Sequence, residues 1–104
     1  MLKAQYNRLS PQEAKKRIDS EKDIIILDVR TEEEYNEKHI PNAINLPLSL
    51  LFDSIRQLYK KDTKIFIYCR SGVRSRVATS QLALMGYSYV YDFGGIISWP
   101  YETV

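Results

Sequence analysis

Apolar residues fall along the chain in short runs whose period changes from one run to the next. Ile24 to Val29 is almost uninterrupted, broken only by Asp28, and such runs suit a strand covered on both faces. Lys64-Ile65-Phe66-Ile67-Tyr68 predicts a second buried strand from its β-branched and aromatic content. Elsewhere the spacing is helical: Leu50, Leu51, Ile55 and Leu58 predict an amphipathic helix with Ser49, Asp53, Arg56 and Gln57 toward water. Val77, Leu82, Leu84 and Met85, with Ala78, Gln81 and Ala83 as helix formers, predict another that stops at Gly86. Tyr87 to Asp92 reads as a strand, Ala43 to Leu46 as a short strand ended by Pro47, and Tyr6 to Leu9 as a short edge strand.

Polar residues mark where elements begin. Ser10-Pro11-Gln12-Glu13 combines an N-cap serine, a proline at the first helical position and a glutamate three residues on. Thr31-Glu32-Glu33-Glu34 repeats the capping box and opens a short helix containing Tyr35; Glu32 and Glu33 read as a solvated first turn. Pro41-Asn42 is turn chemistry, and Gly94-Gly95 is a breaker or a tight approach of two backbones. Ile96 to Trp99 reads as a final helical turn ended by Pro100, with Trp99 covering the core. Strands alternating with helices at these spacings predict an α/β fold with a mainly parallel sheet. With 104 residues and no linker, repeat or low-complexity segment, residues 1–104 are expected to form a single domain.

Composition narrows the function classes. A net charge of +2 without a Lys/Arg run gives no electrostatic footprint for nucleic acid. No stretch approaches the roughly 20 apolar residues of a membrane span, and Met1 to Leu9 has no signal-peptide core. A cytoplasmic location is the expectation. One cysteine and one histidine exclude a disulfide framework and cannot close a tetrahedral zinc site, so no metal or cofactor is expected.

That one cysteine carries the chemistry. Cys69 lies between the predicted strand and the predicted helix, followed by Arg70-Ser71-Gly72-Val73-Arg74-Ser75. The free N–H groups of a helix start, together with cationic neighbours, favour a thiolate over a thiol. Gly72 permits a positive φ, which turns successive N–H groups inward into an anion-binding nest. A lone cysteine is commonly a small buried hydrophobe. Its surroundings here are two arginines, two serines and a glycine, which do not pack an apolar site. Asp28 and Arg30, at the end of a strand, are open to a structural or a functional role. A nucleophile ionised by its surroundings needs no base, so His39 is expected to hydrogen-bond the backbone rather than act in catalysis.

Three stretches, in this order, resemble the single-domain rhodaneses: Leu27-Asp28-Val29-Arg30 with Glu34-Tyr35 and His39 to Asn45; Tyr68-Cys69-Arg70-Ser71-Gly72-Val73-Arg74-Ser75; and Gly94 to Trp99. Lys38 and Asn42 stand where glycines are common in that family. The resemblance implies a five-stranded mainly parallel sheet with helices on both faces and the Cys69 loop at the carboxyl end of the central strand. It also implies a double displacement. Cys69 would take the sulfane sulfur of a donor such as thiosulfate, sulfite would leave, and a thiol or cyanide would remove the sulfur from the persulfide. Arg70, Ser71, Gly72, Val73, Arg74 and Ser75 would bind the substrate, with backbone N–H groups around the persulfide and both guanidinium groups on the anionic donor. With no second cysteine to resolve the persulfide, the acceptor must come from outside: a small thiol, cyanide or a partner protein's cysteine.

Two rivals share these features. A cysteine phosphatase or arsenate reductase also needs an anion cradle, but Ser75 stands six positions after Cys69 where tyrosine phosphatases carry arginine, and the rhodanese-fold phosphatases have a loop one residue longer. A non-enzymatic module would lack the cysteine, so its realistic form here is a persulfide carrier serving one protein partner.

Overall fold

The computed structural model describes residues 7–104. Four parallel strands form one sheet in the order β2-β1-β3-β4, where β1 is Ile24–Asp28, β2 Ile44–Asn45, β3 Lys64–Cys69 and β4 Val90–Gly95. The helices are α1 (Pro11–Ser20), α2 (Glu32–Glu37), α3 (Leu48–Leu58) and α4 (Val73–Leu84), and a 3-10 turn covers Ile96–Ser98.

The two central strands are β1 and β3, the ones with the most continuous apolar sequence. Because successive side chains point to opposite faces, β3 sends Ile65, Ile67 and Cys69 one way and Phe66 and Tyr68 the other. The first set joins Leu27, Val29 and the buried sides of α3 and α4 through Leu51, Ile55, Ala78 and Leu82. The second joins Ile26, Phe93, Trp99 and Ala14 of α1. Both faces are thus covered, as the uninterrupted runs predict. Both capping boxes form as the sequence indicates: Ser10 with Glu13, and Thr31 with Glu34.

Four expectations require correction. The fifth strand is reduced to one parallel bridge between Arg8 and Asp92, held by Leu9 N–H to Asp92 O at 2.9 Å and Asp92 N–H to Asn7 O at 2.9 Å. Its predicted first residue, Tyr6, lies outside the described residues. The last strand begins at Val90 rather than Tyr87 and runs through both glycines to Gly95. In α3, Leu50 and Leu58 face solvent, while Leu51 and Ile55 are buried with Leu48 and Phe52 beside them. In α4, Val77 and Leu84 are exposed and the buried residues are Ser75, Ala78, Thr79 and Leu82. The helix against the sheet buries a small, partly polar face, and a reading that counts only large apolar residues misplaces it.

The two positions that depart from the family pattern have a backbone explanation. Asn42 has φ 69°, the left-handed region that asparagine tolerates best after glycine. Lys38 has φ −167°, ordinary extended backbone open to any residue.

Candidate active site

Cys69 ends β3 at the carboxyl edge of the sheet, and the chain turns through Arg70 and Ser71 into α4. Gly72 takes φ 107°, a conformation closed to most other residues. That turn directs the Gly72 N–H at Cys69 Sγ, 3.0 Å away. Among the described residues it is the one backbone N–H within hydrogen-bond distance of the sulfur. No side chain caps the start of α4, and the sulfur lies where helix N-termini favour an anion.

Ser75, in the first turn of α4, lies on the other side of the sulfur. Its Oγ is 3.4 Å from Sγ and within 3.2 Å and 3.3 Å of the Gly72 and Gly94 carbonyl oxygens, to either of which it donates. It ties the cysteine loop to the end of β4. The second tie is steric. The Cα of Gly95 packs so closely on the loop that an added Cβ would stand 2.6 Å from Ser71 Cα and closer still to the Arg70 carbonyl. Arg70 O in turn accepts a hydrogen bond from Ile97 N–H at 3.2 Å. The Gly94-Gly95 pair is thus a tight backbone approach, and it sets the height of the loop above the sheet.

The two arginines of the loop do not share one environment. Arg70 is exposed, and its side chain makes no hydrogen bond or ion pair among the described residues. Arg74 forms a two-pronged pair with Glu34 of α2, Nη1 to Oε1 at 2.6 Å and Nη2 to Oε2 at 2.9 Å. The guanidinium, chiefly through these hydrogen bonds, holds the Glu34 carboxyl down at about 2, and the same bonds raise the Arg74 pKa. The sequence identified Glu34 only as a cap. Its link to the cysteine loop spans 40 residues and has no local signature.

Asp28 and Arg30 belong to a network behind the loop. Arg30 donates from Nε and Nη2 to Asp28 at 3.0 Å and 2.7 Å, and from Nη2 to the Lys38 carbonyl at 2.7 Å. Tyr68 O–H donates to Asp28 Oδ2 at 2.7 Å and accepts from Ile40 N–H at 3.0 Å. Burial, ahead of the Asp28 carboxylate, pushes the Tyr68 hydroxyl well above its ordinary pKa, so it stays a donor at any physiological pH. Tyr68 points to the face opposite Cys69 and there joins Asp28 to the Ile40 backbone, while Arg30 also lines the cleft beside Arg70. His39 stacks on Tyr35 with ring centroids 3.7 Å apart and places Nδ1 2.9 Å from the Tyr35 carbonyl oxygen. It is a backbone partner, as expected.

Two clefts open beside the loop. One, about 500 Å³, is lined by Arg30, Glu34, Glu37, Lys38, Arg70 and Ile97 with Ile96. The other, about 370 Å³, is lined by Val29, Thr31, Pro47, Leu48, Ser49 and Arg74. The Glu34–Arg74 pair contributes one residue to each.

Residues 10–100 match the Rhodanese-like domain family. The chain is a member of the rhodanese-like family. It is 35% identical over 94 residues to a sulfurtransferase of Allochromatium vinosum, covering 89% of this chain and 87% of that one. It is 32% identical over 95 residues to the thiosulfate sulfurtransferase GlpE of Coxiella burnetii, covering 90% and 87%. A crystal structure of a rhodanese-related protein from Thermoplasma volcanium superposes with a TM-score of 0.83 at 31% identity, covering 95% of this chain and 98% of that one. Other relatives are longer: the chain spans 23% of the adenylyltransferase and sulfurtransferase UBA4 of Candida albicans, at 36% identity. This rhodanese domain is a sulfurtransferase of the rhodanese type. No helix among the described residues is long and apolar enough to cross a membrane.

Proposed function

We propose that this rhodanese, working as one cytoplasmic domain over residues 1–104, moves sulfane sulfur from a donor such as thiosulfate to a thiol or cyanide through a persulfide on Cys69. The observation that carries the reading is the Gly72 N–H aimed at Cys69 Sγ at 3.0 Å in a loop that starts a helix. That donor stabilises the thiolate before reaction, and the persulfide's inner sulfur keeps the same bond afterwards. The thiolate attacks the outer sulfur of thiosulfate, the sulfur–sulfur bond of the donor breaks, and sulfite departs with the electron pair. Ser75 O–H, able to rotate from a carbonyl to the sulfur, donates to the thiolate before attack and again when an acceptor removes the outer sulfur and negative charge returns to Sγ. Arg70 draws in the anionic donor and stabilises the departing sulfite, and Arg74, held by Glu34, reaches a bound anion only in competition with that carboxylate. Ser71 and Val73 complete the loop through their backbones.

Cys69 is the one cysteine of the chain, so discharge requires an external nucleophile: cyanide, a small thiol or a protein cysteine. The loop from Cys69 to Arg74 brings its arginine one residue earlier than the Cys-x5-Arg loop of tyrosine phosphatases, and the shorter cradle favours a sulfur atom on the cysteine over a tetrahedral phosphate in front of it.

The test is intact-protein mass spectrometry after thiosulfate under non-reducing conditions. A gain of about 32 Da on Cys69, removed by cyanide and missing in a folded Cys69→Ser variant, is the expected result. An unmodified thiol, or hydrolysis of an aryl phosphate lost in Cys69→Ser, overturns the proposal.

A further inference from the structure

The charges around the loop cancel almost completely, and the way they cancel bears on which donor the site takes. Arg30 is neutralised by Asp28, and Glu37 and Lys38 on the rim of the larger cleft offset each other. Arg74 is neutralised by Glu34 in a two-pronged contact. When the buried Asp28 behind Arg30 is counted with the described residues that line the clefts, the surplus is a single positive charge, on Arg70. A thiosulfate dianion would meet a site with one uncompensated cation. A second negative charge must compete with the Glu34 carboxylate for Arg74, or sit near that carboxylate without a partner.

From this arrangement we infer that Glu34 is a positioning residue that sets donor specificity: by holding Arg74, it disfavours dianionic sulfur donors and favours monoanionic ones. The inference rests on Cys69 being the sulfur-accepting thiolate. The chemistry is the same for both donor classes. With an alkanethiosulfonate, the thiolate attacks the outer sulfur, the sulfur–sulfur bond breaks, and a sulfinate monoanion leaves with the electron pair where thiosulfate would release sulfite. The two donors therefore differ in charge at the site while sharing the step at the sulfur.

Glu34 can be neutralised without removing its structural task. Its Oε1 accepts from Thr31 N–H at 3.1 Å in the capping box, and glutamine retains an oxygen able to do the same. Glu34→Gln frees Arg74 and leaves α2 capped.

The experiment compares kcat/KM for thiosulfate and for methanethiosulfonate in wild type, Glu34→Gln and Glu34→Asp. The ratio of thiosulfate to thiosulfonate is expected to rise about tenfold in Glu34→Gln, the effect of one charge across roughly 10 Å at an effective dielectric near 20. It should stay within about threefold of wild type in Glu34→Asp, which keeps the charge. Equal changes for both donors would mark a merely structural role and overturn the inference. A measurement on wild type alone guards against a variant that fails to fold. Sulfate and methanesulfonate, compared as competitive inhibitors, should bind within about threefold of each other, and a tenfold preference for sulfate overturns the inference. If wild type accepts sulfur from neither donor, the Cys69 reading itself fails. If it accepts from both with an unchanged ratio in Glu34→Gln, only the role of Glu34 fails.

Discussion

Two arginine–carboxylate pairs flank the cysteine loop, and they differ in burial. In the pair behind the sheet end, Arg30 and Asp28 are 4% and 0% exposed; in the pair at the loop mouth, Arg74 and Glu34 are 33% and 26% exposed. Their closest contacts are nearly the same, 2.7 Å and 2.6 Å. What differs is the consequence of losing one partner. A buried charge left alone has no water to turn to, so the inner pair is part of the architecture. A half-exposed guanidinium can exchange its carboxylate for solvent or for a substrate anion at small cost, so the outer pair is free to be adjusted for function.

The sharpest way to break that comparison is Asp28→Ala. It strands Arg30 and removes the acceptor of Tyr68 O–H, and should destabilise the fold by about 3–5 kcal/mol in urea unfolding. A loss below about 1 kcal/mol would show that the inner pair is no more structural than the outer one. Gly95→Ala comes next: its Cβ must push the backbone at Arg70 and Ser71, at a cost of about 1–3 kcal/mol. Because it moves the loop bearing Cys69, it should lower kcat for sulfur transfer even where the protein remains folded. Normal turnover in Gly95→Ala would mean the loop height is unimportant. Tyr68→Phe leaves Ile40 N–H without its partner, while Asp28 Oδ2 keeps its Arg30 donors, and should cost about 1–3 kcal/mol, with little effect on the thiol on the opposite face.

The smallest effects belong to the outer pair. Glu34→Gln should change unfolding free energy by less than about 1 kcal/mol, since the pair is screened by solvent and the cap survives. Its acid titration follows from the depressed carboxyl. The folded state holds Glu34 at about 2, below its ordinary 4.5, so the stabilisation is present above pH 4.5 and is lost as pH falls from there toward 2. Wild type and Glu34→Gln should therefore converge in stability at the acid end of that window. A gap that widens on acidification contradicts the assignment.

Much of this was legible along the chain because the signals are local. Both capping boxes, the left-handed Gly72, the stop at Gly86 and the backbone role of His39 rest on neighbours within a few residues. The buried strands around Asp28 and Cys69 announced themselves through uninterrupted apolar runs. In α4 the face is misplaced because the helix buries alanine, serine and threonine beside Leu82 while Val77 and Leu84 face solvent; in α3 the buried side is Leu51 and Ile55, and Leu50 and Leu58 of the same apolar set face solvent. Periodicity of large side chains carries no information about a surface that must approach a sheet closely. The fifth strand shrank to one bridge because an edge segment's pairing depends on how its neighbour is held, not on its own propensity.

The amino-acid sequence by itself determined the α/β order, the strand-to-loop-to-helix placement of Cys69 and the sulfur chemistry that placement supports, since each depends on residues adjacent in the chain. Only the tertiary structure decided that Asp28 pairs with Arg30 and accepts from the Tyr68 hydroxyl on the face opposite Cys69. It alone distinguished Arg74, tied to Glu34, from Arg70, exposed and without a side-chain hydrogen bond or ion pair among the described residues. Charge pairing of that kind is set by distance in space, and 40 residues of intervening chain leave no trace of it in the sequence.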